Sequence, residues 1–339
     1  MRKVIVAIIL LLAVGLVIFS FSEIQSIAET WQRAHPWYLA LALSIQGVWF
    51  FVLGWTFQAI YWVLGIRESK RRLVLIAAAS SFVSIVTPSA GVGGLALFVA
   101  DGRARGLSTG KITLAGALYI LLDQAAFLCV LACGLVVLIR RNNLGVGDIT
   151  ASLILLTTAS VLAFLLFLGY RSEEALGEAL ARLTRLVNRV VGPFIHRDYL
   201  SEAKAHTFAH EISEGLSALP ERPRSLLRPF LLSIANKVLL MGVLVCSFLS
   251  FDVPFTAGTI VGGFAIGYLF LIVSPTPSGI GVVEGVMALA LRTLRVQFSD
   301  AVLITLAYRG ITFWLPLAIG ALAFRVLQAP GKGAPPLQA

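Results

Sequence analysis

Charge is what this sequence has least of: Asp, Glu, Lys and Arg make up 13% of its 339 residues, against roughly 25% in soluble domains. So little charge excludes an ordinary water-soluble fold. Cysteine is scarce too. Cys129, Cys133 and Cys246 all lie inside apolar runs, and no His or carboxylate stands at ligand spacing beside Cys129 and Cys133, although they are one helical turn apart. They read as small packing residues. Of the four histidines, His206 and His210 are spaced i, i+4 near Glu202 and Glu211. Their order is not the His-Glu-x-x-His of a zinc site, and they suit a solvated helix face. The stretch 106–111 resembles a phosphate-binding loop, yet Arg105 replaces its first glycine and Ile112 its Ser/Thr. With no Ser/His/Asp set either, neither a cofactor, a metal nor an enzymatic role is expected.

Apolar sequence is what the chain has in quantity. Hydrophobic residues reach 58% and the mean hydropathy is +0.90, which predicts an all-α polytopic membrane protein. The net charge of +10 does not point to nucleic acid. Lys and Arg collect in short segments between apolar runs, as the positive-inside rule expects, and they suit anionic lipid headgroups.

Residues 4–21 form an apolar run after Met1-Arg2-Lys3. The run is long for a signal peptide and lacks a cleavage site, so it reads as a first span with a cytoplasmic N-terminus. The loop 22–36 suits the outside, with Trp31, Trp37 and Tyr38 as an aromatic belt. Residues 37–64 cross back to the basic cluster Arg67-Glu68-Ser69-Lys70-Arg71-Arg72. Residues 73–100 are interrupted. The apolar run before Pro88 reaches only about 21 Å, against a hydrocarbon core of about 30 Å. Basic residues flank both ends, so a hairpin entering from the cytoplasm is expected. Residues 112–139 then span outward, where Arg140-Arg141 is an exception to the charge rule, and 149–170 return. Residues 171–228 carry nine Lys/Arg and eight Asp/Glu with leucines at helical spacing, which suggests amphipathic helices on the cytoplasmic face. Residues 229–250 span outward, 255–294 form a second interrupted region entering from outside, and 301–324 span inward. The expected architecture is six spans and two broken re-entrant hairpins in one membrane domain, 1–327. Its halves, 4–170 and 229–327, form an inverted repeat, both termini are cytoplasmic, and 328–339 are a disordered tail.

The second interruption reads Ser274-Pro275-Thr276-Pro277-Ser278-Gly279-Ile280-Gly281-Val282-Val283-Glu284, and a weaker copy reads Thr87-Pro88-Ser89-Ala90-Gly91-Val92-Gly93-Gly94. Paired interruptions in two halves point to a transporter-type binding site near the bilayer midplane. Each half then has a polar pair on the following span, Asp123-Gln124 and Tyr308-Arg309. A charge inside a membrane helix costs about 2.5–3.5 kcal/mol on the insertion scale, so it pairs or lines a water-filled path. Asp123 and Arg309 are expected to pair with each other, either to fix packing or on a substrate path. Lys237 either joins that path or snorkels to the interface. Glu284 either binds a cation or amine, or caps the helix start. Helices restarting after Gly91-Val92-Gly93-Gly94 and Gly279-Ile280-Gly281 offer N–H groups to a phosphate, with Arg309 as an added donor.

The run Pro275-x-Pro277-x-Gly279-x-Gly281-x-x-Glu284, followed by Tyr308-Arg309-Gly310-Ile311-Thr312-Phe313-Trp314-Leu315-Pro316 and Gly320, resembles the transmembrane region of lysylphosphatidylglycerol synthases, a flippase-like family. The resemblance extends from Val4 to about Leu327. It implies a bacterial cytoplasmic-membrane protein that moves a lipid between leaflets, without the soluble domain that transfers an aminoacyl group to phosphatidylglycerol. Leu122-Asp123-Gln124 stands where an acidic–basic pair such as Glu-Arg would be usual, and Ser278 where a glycine would be. The expected partners are membrane lipids with a phosphate-bearing headgroup. The alternative is a non-transporting membrane partner that presents a lipid to a separate lipid-modifying enzyme or glycosyltransferase. An intramembrane enzyme of lipid-linked sugar transfer would need Asp123 and Glu284 together.

Overall fold

Every apolar run within the described residues is helical. The computed structural model describes residues 29–87, 92–140, 146–182, 185, 209, 213, 223–274 and 276–328. The expected first span, Pro88 to Gly91, most of the amphipathic segment with its histidines, Pro275 and the tail from 329 lie outside them. The helices are α1 (Pro36–Val63), α2 (Lys70–Val86), α3 (Val92–Ala104), α4 (Thr109–Arg140), α5 (Val146–Arg171), α6 (Leu227–Leu249), α7 (Ala257–Val273), α8 (Val282–Thr293), α9 (Phe298–Arg309) and α10 (Leu315–Gln328). Among the described residues there is no strand. Among the described residues four stretches are long and apolar enough to cross a membrane: Pro36–Val63, Thr109–Arg140, Arg224–Leu249 and Phe298–Leu327. Outward-facing Trp37, Leu41, Val48, Phe51, Trp55 and Trp62 along α1 suit a lipid-facing surface.

The two interrupted regions are built alike. Ser69 caps α2 by accepting the Arg72 N–H, and Thr256 caps α7 by accepting the Thr259 N–H. Both helices have 17 residues and end in an extended hydroxyl residue, Thr87 (ψ 129°) and Ser274 (ψ 136°). That is the conformation a following proline imposes. The chain then doubles back. Arg72 at the start of α2 donates to Asp101 near the end of α3 at 2.5 Å, and Arg105 pairs with Glu68, so α2 and α3 are antiparallel. Gly263 of α7 lies on Leu291 of α8 and Gly267 on Met287, so this pair is antiparallel as well.

Packing between the halves is reciprocal. The most extensive helix pair is α1 with α6; α2 packs against α10 from the second half, while α7 packs against α4 from the first. Helix α9 continues through a π turn (Gly310–Trp314) into α10. Pro316 has no N–H to offer the Thr312 carbonyl, and a widened turn is a recurrent local adjustment in such helices.

Candidate functional site

Lys237 lies eleven residues into α6, and its side chain is 2% exposed. It does not snorkel. Its ammonium donates to Asp123 Oδ1 at 2.7 Å and Oδ2 at 2.8 Å on α4, and to the Tyr268 hydroxyl of α7 at 2.6 Å. The Tyr268 hydroxyl in turn lies 3.5 Å from Asp123 Oδ2. The cation missing beside Asp123 in Leu122-Asp123-Gln124 is thus supplied by another helix. Satisfying both carboxylate oxygens and giving the ammonium three acceptors is what a buried pair needs.

The second centre forms where the π turn begins. The Arg309 side chain is 4% exposed; its Nε donates to Glu284 Oε1 and its Nη2 to the Ser278 carbonyl at 3.0 Å. The Phe313 ring lies 4.7 Å from the guanidinium carbon, within cation–π range. The polypeptide reaches Arg309 through a left-handed turn, with φ of 47° at Ser278, 73° at Gly279 and 77° at Gly281. Serine takes that conformation at a cost of roughly 1–2 kcal/mol that glycine avoids, and it directs the Ser278 carbonyl to Arg309. Thr276 steadies the loop by donating to the Ile280 carbonyl at 3.1 Å. Glu284 sits in the first turn of α8, where a carboxylate offsets the helix dipole. Its Oε2 has no hydrogen-bond partner among the described residues.

The expected Asp123–Arg309 pair is therefore replaced by two pairs. Asp123 and Arg309 do occupy matching places: each lies eleven residues before a glycine, Gly134 and Gly320. Those glycines pack on Ala265 of α7 and Ala78 of α2 respectively. The matching places carry opposite charges, yet each finds its counter-ion on a third helix. Asp123 with Lys237 ties the first half to the second, whereas Glu284–Arg309 lies within the second.

Tyr308 is buried in the core with Phe264 and Met287. Of the glycine-rich first copy, Gly93 and Gly94 open α3, and the Gly94 N–H donates to Ser84 Oγ of α2 at 3.1 Å. That group is already partnered, contrary to its expected exposure to a headgroup. Gly279 and Gly281 shape the second turn; Pro277 begins its short 3-10 segment. Tyr268 is the site residue that sequence reasoning missed. Its signal was present, as the phenol in a helix without charged residues. Cys246 is buried as expected, whereas Cys129 and Cys133 are exposed on α4. Among the described residues no group of three or more His, Cys, Asp or Glu could hold a metal ion.

Residues 4–320 match the family model of the lysylphosphatidylglycerol synthase TM region. No curated protein matches the chain.

Proposed function

Because the chain belongs to the family of the lysylphosphatidylglycerol synthase TM region, we propose that it is a lipid translocator that moves a polar, phosphate-bearing lipid between the leaflets of a bacterial cytoplasmic membrane. It is an integral membrane protein of apolar helices. In this reading α2–α3 and α7–α8 are re-entrant hairpins of an inverted repeat, entering from the cytoplasm and from outside, and both termini are cytoplasmic. The salt-bridged base of the first pair supports that placement, since its charged ends lie together while the end of α2 at Thr87 lies at the far tip.

The observation that carries the reading is the siting of the two ion pairs. Glu284 and Arg309 meet at the turn of a broken helix pair, and Asp123 of α4 and Lys237 of α6 meet Tyr268 of the preceding arm of that pair. Intramembrane charges of this kind pair and mark substrate paths. The headgroup would pass along the broken pair while the acyl chains stay in lipid. No covalent step is assigned to the chain.

Reconstituted vesicles with leaflet-specific quenching of labelled phospholipids test this. Protein-containing vesicles should exchange lipid faster than empty ones, and Arg309→Ala should lose most of the gain. Equal rates across candidate lipids would leave the partner reading, in which the chain presents a lipid to a separate enzyme.

A further inference from the structure

Resting on the translocator reading, we propose that the Asp123–Lys237–Tyr268 cluster is a proton-binding site that couples lipid movement to the proton gradient. Tying α4 to α6 and α7 needs no charge, since well-packed apolar side chains serve a buried contact at least as well. Ionisable groups within apolar helices are costly, and in transporters they form proton relays. Of the two ion pairs, Glu284–Arg309 lies within the second half, whereas Asp123–Lys237 spans the halves. The Asp123 side chain is 18% exposed and that of Lys237 2%, so the carboxylate is the member that water reaches. Three buried polar atoms flank the pair without a partner among the described residues. They are Gln124 Oε1, next to Asp123 on α4, and Ser233 Oγ and Asn236 Oδ1, in the turn before Lys237 on α6. Waters bonded to such atoms give a proton its route to the carboxylate.

The proton comes from water, forms one O–H bond on Asp123, and returns to water on the other side. While Asp123 is neutral, Lys237 remains an ammonium. It keeps the Tyr268 hydroxyl at 2.6 Å and lies 4.2 Å from the centroid of the Tyr268 ring, within cation–π range. Its attraction to a charged Asp123 is lost, and with it the ionic tie of the first half to the second. The surroundings hold no other group that takes over either charge. Tyr119, one turn earlier on α4, is stacked on Phe57 of α1 at 4.4 Å. Helices α1 and α7 contain no charged residue, and Asp101, Arg103, Asp148 and Arg171 stand in the terminal turns of α3 and α5. From α9 come Tyr308, in the same core as Tyr268, and Arg309, engaged by Glu284. Protonation of Asp123 thus loosens one contact between the halves, and its deprotonation restores it.

The test uses full-length protein in phosphatidylcholine vesicles with a trace of one tail-labelled lipid: phosphatidylethanolamine, phosphatidylglycerol or glucosyl diacylglycerol. Potassium and valinomycin hold the membrane potential at zero while a gradient of about one pH unit is imposed. One proton per lipid then drives a leaflet ratio of up to about tenfold, which a protonophore should abolish. Movement above the empty-vesicle rate that ends in an even distribution overturns the coupling and leaves translocation intact. Movement of none of the three lipids sinks the translocator reading beneath it. Infrared difference spectra of the full-length protein in micelles, taken across the same pH range, supply a second measurement that needs no transport. They should show the C=O stretch of a protonated carboxyl that Asp123→Glu shifts and Asp123→Asn removes. A spectrum unchanged by Asp123→Glu would overturn Asp123 as the proton carrier, even if the asparagine variant did not fold.

Discussion

Replacing Lys237 with methionine removes the ammonium to which both Asp123 oxygens are bonded and strands a carboxylate that is only 18% exposed. Breaking a buried pair from one side costs about 3–5 kcal/mol, and the residual exposure of Asp123 places the expected loss near the lower bound. The double variant Asp123→Asn, Lys237→Met removes both charges and should recover most of that loss. Unfolding titrations in mixed micelles read the cycle; a double variant no more stable than the Lys237 single would mean that the two charges do not support each other. The same pair shows what sequence could tell. Asp123, Lys237, Glu284 and Arg309 are conspicuous because a charge in an apolar run needs a reason. Their partners are not conspicuous, because pairing depends on which helix faces meet, and periodicity within one helix carries no information about that. Tyr268 escaped notice for the same reason: its hydroxyl matters only because α7 crosses α4 and α6 at that level.

At the scale of elements, the breaks were legible and their geometry only partly so. Pro88 and Pro275 each force the preceding residue into extended backbone, so the ends of α2 and α7 could be placed to within a residue. The folding back of α3 onto α2 was expected from the basic residues at both ends, and the Arg72–Asp101 and Arg105–Glu68 contacts now give it a physical basis. The π turn after Arg309 was not expected, although Pro316 carries its signal. A re-entrant α2–α3 pair makes a direct prediction. In a background lacking Cys129, Cys133 and Cys246, cysteines placed at exposed Arg71 and Arg103 should react with an impermeant maleimide from the same side of sealed vesicles. Cysteines at Ala257 and Gln297 should both react from the opposite side. Labelling of Arg71→Cys and Arg103→Cys from different sides would mean that α2–α3 crosses the membrane as a broken span.

For the whole molecule, the reciprocal packing of α2 on α10 and α7 on α4 rests on two close approaches at equivalent positions. A methyl group added at Gly320 would lie 2.6 Å from the Ala78 carbonyl oxygen and 2.7 Å from Phe82 Cβ, and one at Gly134 would lie 2.5 Å from Ala265 Cβ. Ala78 and Ala265 are each the ninth residue of their 17-residue helices, so the two contacts occupy corresponding places in the halves. Helices in lipid gain nothing from hiding apolar surface from water, and their association depends on such approaches between small residues. Alanine is favoured over glycine in a helix interior by roughly 0.8–1 kcal/mol, whereas overpacking a tight contact costs about 1–3 kcal/mol. Gly134→Ala and Gly320→Ala should therefore each lower stability by up to about 2 kcal/mol, despite the better helix former. Gly47→Ala in α1, where an added methyl group meets nothing within 4 Å, should raise it by up to about 1 kcal/mol. Unfolding titrations of the three variants distinguish the effects. Stabilisation by all three would show that the halves are not held by these contacts, and opposite signs for Gly134 and Gly320 would break the correspondence between the two interfaces.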